Sequence, residues 1–257
     1  MFEAITKKLS PSSLRSKTRE MVPIDEAKKI VAYAAVDDLL QDNMVLGIGS
    51  GSTIIPAVTR IAEKVAQSNL KIKCVPTSFQ ARQLILAHNL PLYDLEICPE
   101  LDLTIDGADE VERSTKYCIK GGGGCLLQEK IVASASKSLA IICDYTKISG
   151  QLGDQWKKGI PIEVAPISHV VVKRKIEFTF GGEANLRMAK AKAGPLVTDN
   201  GNFILDWDFT FKEDSQMPWD EINQSLMMIP GIIDTGLFIN MANVVYYAEK
   251  DGSVHKI

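Results

Sequence analysis

Between residue 24 and about residue 150, short apolar runs alternate with longer stretches of helical periodicity, and most of the runs end on glycine or aspartate. Strands joined through helices return to a sheet in parallel, so this grammar predicts an open, mostly parallel sheet with helices on both faces. Pro23 and Asp25 open a helical stretch in which Ala27, Ile30, Val31, Ala34 and Ala35 keep one face up to Leu40. Residues 44–48 read as a buried strand that runs into a glycine-rich turn at 49–53. Ile54, Ile55, Val58, Ile61, Ala62 and Val65 then stripe a helix whose Pro56 is tolerated in the first turn. The same reading gives a strand at 71–75, a helix at 78–88, a strand at 101–105, a short strand at 117–120, a helix at 126–136 and a strand at 139–143.

Past residue 150 the alternation breaks. A β-rich stretch at 169–173 and 203–207 surrounds one helical piece at 184–192, and 236–239 with 243–249 read as strands that return to the main sheet. The expected organisation is therefore an N-terminal extension (1–20), a Rossmann-like domain (21–155), an inserted smaller α+β subdomain (156–229) and a return to the main domain (230–257). No internal repeat or low-complexity tract is visible.

Composition removes several function classes. With 257 residues, 46% of them hydrophobic, the chain can bury a full core. A net charge of −3 and a pI near 5.7, with lysines scattered, give no basic footprint for nucleic acid. The apolar stretch at 227–245 is cut by Pro230, Gly231, Asp234 and Gly236, short of the roughly 18 residues of a membrane span. Five cysteines without a CxxC pair argue against a disulfide framework or a zinc site and for a reducing, cytoplasmic setting. The first twenty residues carry five basic side chains and several serines in the manner of a transit peptide, but Glu3 and Glu20 weaken that reading and a plain extension is expected.

In open α/β sheets ligands bind outside the carboxyl ends of the strands. Four polar clusters are predicted there: Ser50, Gly51, Ser52 and Thr53; Asp106, Gly107, Ala108 and Asp109; Lys120 with Gly121, Gly122 and Gly123; and Asp144 with Lys147. The first offers hydroxyls and free N–H groups at a helix start, which suits a phosphate, although such a turn also serves purely structural ends. Its glycines at 47, 49 and 51 miss the third glycine of a dinucleotide fingerprint because Ser52 stands there, and no Walker lysine follows. Asp106 and Asp109 can hold sugar hydroxyls or split into acid and base, or they can form no more than a capped turn. No histidine has ligand spacing, so no metal is expected. Four successive glycines after Lys120 favour a backbone that wraps a ligand, and their N–H groups can form an anion nest. Glu129 returns a carboxylate toward that loop or serves only as a helix N-terminal charge. Cys125 reads as a small loop residue.

The strings GSGST at 49–53, DGADE at 106–110, KGGGGCLLQEK at 120–130, AGPLVTDNGN at 193–202 and IPGIIDTGLF at 229–238 together resemble the type A ribose-5-phosphate isomerases, in order, over roughly residues 28–254. The resemblance implies a cofactor-free aldose–ketose isomerase of the non-oxidative pentose phosphate pathway, a homo-oligomer, dimer or tetramer, whose partner is a small sugar phosphate. It makes Glu129 the proton-transferring base and Asp106, Asp109 and Lys120 its catalytic companions. Ser50 to Thr53, Asp106 to Asp109, Lys120 to Gly123 and Lys147 would surround the substrate. Ser50 stands where many members have Thr, and Gly124-Cys125 where many have Ala-Ala, substitutions that keep the loop small. The rival from another class is a sugar-phosphate-sensing domain without a base; such regulators carry a helix-turn-helix in front, which twenty residues cannot hold. An amino-sugar phosphate deaminase or coenzyme A transferase relative would lack the paired aspartates and the KGGGG string.

Overall fold

The computed structural model describes residues 21–209 and 217–257; the N-terminal extension expected at 1–20 lies outside them. In chain order the first half runs α1 (Ile24–Leu39), β1 (Val45–Ile48), α2 (Ile54–Ser68), β2 (Lys73–Pro76), α3 (Phe79–Ala87), β3 (Leu103–Asp106), β4 (Glu110–Glu112), β5 (Cys118–Ile119), α4 (Leu126–Ser134), β6 (Leu139–Asp144) and β7 (Ile148–Ser149). The second half continues with β8 (Ile160–Val164), α5 (His169–Phe180), β9 (Glu183–Leu186), β10 (Phe203–Asp208), α6 (Trp219–Met227), β11 (Ile232–Thr235), β12 (Leu237–Phe238), β13 (Val244–Ala248) and β14 (Val254–Lys256).

Six strands form the main sheet in the order β14-β13-β6-β3-β1-β2, parallel except for the antiparallel edge strand β14. All six residues of β6 are buried, as a central strand covered on both faces requires. Its alternation divides the core. Ala140 and Ile142 join the side chains of α1, α2 and α3 on one face, while Ile141 and Cys143 pack with Ala133 of α4 and with a small second sheet on the other. That second sheet has the order β12-β5-β4-β7 and adds Val111, Cys118, Ile148 and Phe238 to the same cluster.

A third, antiparallel sheet, β11-β8-β10-β9, packs its own core of Ile162, Val164, Leu205 and Trp207 against Val172 and Ile176 of α5 and Ile222 and Leu226 of α6. Three expectations fail in this half. Residues 169–173 are helical, because Val172 and Ile176 fall one turn apart over the sheet while the β-branched Val170 and Val171 remain exposed; packing overrides their strand propensity. Residues 184–186 are a strand rather than the start of a helix, since Gly181 and Gly182 with positive φ turn the chain so that β9 pairs with β10. Residues 237–238 pair with β5, so the chain rejoins the main sheet only at β13. The short strand expected near 117–120 exists, but in the second sheet.

Side chains stitch the third sheet to the rest. Lys130 of α4 places its Nζ 2.5 Å from Asp234 Oδ1 and donates to the Thr235 carbonyl, both beside β12. The loop after β9 sends Asp199 to accept from the N–H of Phe79 at the start of α3 (2.9 Å). No helix among the described residues is long and apolar enough to cross a membrane.

The Lys130–Asp234 pair is largely enclosed, and removing one partner of such a pair leaves the other charge uncompensated. Lys130→Met is expected to lower unfolding stability by about 3 kcal/mol in urea titration. Adding Asp234→Leu should restore most of it; a single variant as stable as the parent would show that the pair holds nothing together.

Candidate active site

The carboxyl ends of β1, β3 and β6 open onto a cavity of about 400 Å³. Each end contributes the loop that follows it. After β1, Ser50, Gly51, Ser52 and Thr53 lead into α2; after β3 come Gly107, Ala108 and Asp109; and β6 ends on Asp144, with Thr146 and Lys147 following. From the second sheet β5 delivers Lys120, Gly121, Gly122 and Gly123, and the first turn of α4 delivers Glu129.

Under this cavity lies a cluster of buried charges. Lys120 Nζ sits 2.9 Å from Asp106 Oδ2 and 3.4 Å from Glu129 Oε2, and donates to the Gly107 carbonyl at 2.5 Å. The three residues are 3%, 0% and 6% exposed in the order Lys120, Asp106, Glu129. The Phe238 ring, 5.3 Å from the ammonium, closes another side. Burial alone would push the Lys120 ammonium down, but Asp106 and Glu129 outweigh it and hold its proton more firmly than usual. Glu129 goes the other way from an ordinary carboxyl. Burial and the neighbouring Asp106 charge raise its pKa, and Lys120 only partly opposes them.

Asp106 fixes the surrounding backbone. Its Oδ1 accepts from the N–H groups of Ser50 (3.0 Å) and Gly107 (2.7 Å). It lies so close under β1 that a Cβ on Gly49 would come 2.1 Å from Oδ1, which explains the glycine there. The turn is held further by Ser50 Oγ, which lies 2.9 Å from Thr77 Oγ1 and donates to Ser78 Oγ (2.6 Å), and by Gln80 Oε1, which accepts from the Gly51 N–H (2.8 Å). Ser78 in turn caps α3 by accepting from Ala81 N–H.

Asp109 accepts from the Gly122 N–H at 2.6 Å. Burial raises its pKa, opposed first by that hydrogen bond and then by Lys120, Lys147 and Arg187. A Cβ on Gly122 would fall 2.5 Å from Asp109 Oδ1 and 2.7 Å from Trp156, whereas one on Gly123 meets no protein atom within 4 Å. Cys125 also lines the cavity, its thiol pushed up to about 12 by burial and by the negative charges of Glu129, Asp199 and Asp106.

The four clusters anticipated in the sequence thus converge on one cavity, with one distinction: Asp106 lies beneath the wall rather than in it. Lys28, Gln80 and Thr146 line the cavity and were not anticipated. Topology carries the missing signal for two of them. A helix packed antiparallel to parallel strands begins at their carboxyl edge, so the first turns of α1 and α3 necessarily overhang the site.

A cavity at the carboxyl edge of a parallel sheet, with a buried carboxylate and ammonium beneath it, defines the class as an α/β protein with a polar ligand site. The family model for ribose 5-phosphate isomerase A matches residues 73–252. Ribose-5-phosphate isomerases of Sus scrofa and Homo sapiens are each 58% identical over 91% of this chain, covering 75% and 74% of their own lengths. That of Dictyostelium discoideum is 53% identical over 90% of the chain and 97% of its own. Among solved structures, a D-ribose-5-phosphate isomerase in complex with phospho-erythronic acid superposes with a TM-score of 0.84 at 34% identity, covering 92% of this chain and 99% of that one. Ribose 5-phosphate isomerase A from Methanocaldococcus jannaschii gives 0.82 at 36% identity, over 91% and 98%. The chain belongs to the ribose 5-phosphate isomerase A family, and it is an isomerase.

A carboxyl whose pKa is raised by folding keeps its proton while the unfolded chain loses it, so its contribution to stability falls as pH rises from the ordinary carboxylate range through the folded value. Glu129→Gln removes that dependence. The variant's melting temperature relative to the parent is expected to climb with pH across this window; a difference independent of pH would contradict the raised pKa.

Proposed function

We propose that the protein interconverts D-ribose 5-phosphate and D-ribulose 5-phosphate through a cis-enediolate, with Glu129 as the base. The observation that carries this reading is the Glu129 carboxyl itself, largely buried at a cavity wall, 3.4 Å from an ammonium and facing a glycine loop. Aldose–ketose exchange takes a proton from C2 of the open-chain sugar and returns it to C1, while the carbonyl moves from C1 to C2 and a proton passes between the two oxygens. One carboxylate on the correct side does both carbon transfers. A base with raised proton affinity is better matched to a weakly acidic C–H bond than an ordinary glutamate.

Charge that develops on oxygen is stabilised by Lys120 and by N–H groups of the glycine loop, each donor typically worth about 3 kcal/mol in such settings. The phosphate lies on Ser52, Thr53 and the start of α2, with Lys28 and Lys147 as counter-charges. Asp109 faces the cavity and is the carboxylate that handles hydroxyls and ring opening. Asp106 works at one remove, holding Lys120 and the Ser50 turn. The relative solved with phospho-erythronic acid supports this reading, because a phosphorylated sugar acid presents a planar oxyanion where the enediolate would. We place the reaction in the non-oxidative pentose phosphate pathway of the cytoplasm, carried out by a homo-oligomer of a catalytic domain with an inserted α+β unit.

Chelator-treated protein should convert ribose 5-phosphate to ketose; absence of turnover would remove the central claim. Glu129→Gln keeps size and hydrogen bonding, and kcat is expected to fall at least about 10²-fold with KM little changed. Near-normal turnover would transfer the base to Asp109. Gly123→Ala meets no protein atom, so it should fold like the parent and lose activity only because the added methyl intrudes on the bound intermediate. Unchanged kinetics in that variant would place the intermediate away from the loop.

A further inference from the structure

Arg187, one residue past β9, does not line the cavity, yet its side chain reaches the catalytic loop from behind. Its backbone is anchored on both sides, the N–H donating to the Ile204 carbonyl and the carbonyl accepting from Leu196 N–H. Two of its nitrogens, Nε and Nη2, donate to the carboxylate of Asp206 on β10 at 2.8 and 2.5 Å. The remaining Nη1 donates to the carbonyls of Gly121 (2.9 Å) and Gly122 (3.3 Å).

A trans peptide carries its C=O and N–H on opposite edges of one plane, so holding an oxygen also aims the next residue's hydrogen. The Gly121 carbonyl shares its plane with the Gly122 N–H, which donates to Asp109. The Gly122 carbonyl shares its plane with the Gly123 N–H, in the residue that borders the cavity with open space beside it. Glycines have no side chain with which to fix these planes, and although the Gly124 N–H also donates to the Gly121 carbonyl at 2.9 Å, that turn does not engage the Gly122 carbonyl. Only a planar fork with several donors reaches Asp206 and both carbonyls at once; a lysine ammonium would not.

We propose that Arg187, braced by Asp206, is a positioning residue for the isomerisation, aiming the Gly122 and Gly123 N–H groups at Asp109 and at the reacting oxygens. This rests on the reading of the glycine loop as an oxyanion cradle. It couples the third sheet to chemistry carried out on the edge of the first.

The test compares the parent, Arg187→Ala and Arg187→Lys as full-length chains, measuring steady-state turnover of ribose 5-phosphate and inhibition by 4-phospho-erythronic acid at a temperature where each is folded by circular dichroism. Arg187→Ala is expected to lose kcat about 10- to 100-fold with KM within about 3-fold. Its affinity for the sugar acid should fall by the same factor as kcat/KM, and added guanidinium should recover part of the rate. Arg187→Lys should resemble the alanine variant rather than the parent. If both variants are less stable to heat but keep parental kcat and inhibitor affinity, Arg187 is merely structural and the proposal is overturned. If the parent itself binds the sugar acid no better than the substrate, the oxyanion-loop reading fails and takes this proposal with it. A parent that prefers the sugar acid, beside an Arg187→Ala that keeps both that preference and its rate, overturns the Arg187 role alone.

Discussion

Everything around the cavity is arranged about one buried ammonium. Lys120 has almost no access to water, and a charge in that position is tolerable only when paired and hydrogen-bonded. Asp106 supplies the partner, and the Gly107 carbonyl supplies a further acceptor. The second carboxylate, Glu129, is then one more than the ammonium can neutralise. Two carboxyls and one ammonium in a buried cluster leave the excess carboxyl with an elevated proton affinity, and that carboxyl is Glu129. An ion pair that is unremarkable for stability thereby becomes the device that tunes a neighbouring acid.

The same cluster explains local sequence that is otherwise arbitrary. Asp106 needs Gly49 above it, because its carboxylate occupies the space of a Cβ, and it orders the Ser50 turn through a backbone hydrogen bond. Lys120 is delivered by a strand of only two residues, held between β4 and β12, with Phe238 of the latter flanking the ammonium. The second sheet is therefore less a structural layer than a bracket that carries the ammonium and the glycine loop to the edge of the first.

The parallel sheet was legible because its strands are short apolar runs separated by amphipathic helices, and buried strands leave that signature in any single sequence. Beyond residue 150 the signature fails for physical reasons. Val170-Val171-Val172 reads as strand, but only Val172 is buried, and the helix is selected by the sheet beneath Val172 and Ile176. Strands as short as Leu237–Phe238 hold too few side chains to declare a partner. At the site, motifs revealed which loops meet, but not which carboxylate faces solvent. Asp106 and Asp109 stand three residues apart in one string, yet Asp106 ends β3 and pairs with the buried Lys120, while Asp109 lies in the loop beyond the strand and lines the cavity. Lys28 and Gln80 belong to helices whose relevance depends on the direction in which they pack, information that no local pattern holds.

Cys125, directly after the glycine run, leaves a thiol at the cavity wall beside Glu129. An ionised thiol next to an open-chain aldehyde adds to the carbonyl carbon and forms a hemithioacetal, a dead-end adduct for a sugar that must expose its aldehyde to react. Here burial and three nearby carboxylates keep the sulfur protonated and poorly nucleophilic. The burial that, with nearby carboxylates, raises the proton affinity of Glu129 thus also holds the thiol of its neighbour in the unreactive, protonated form.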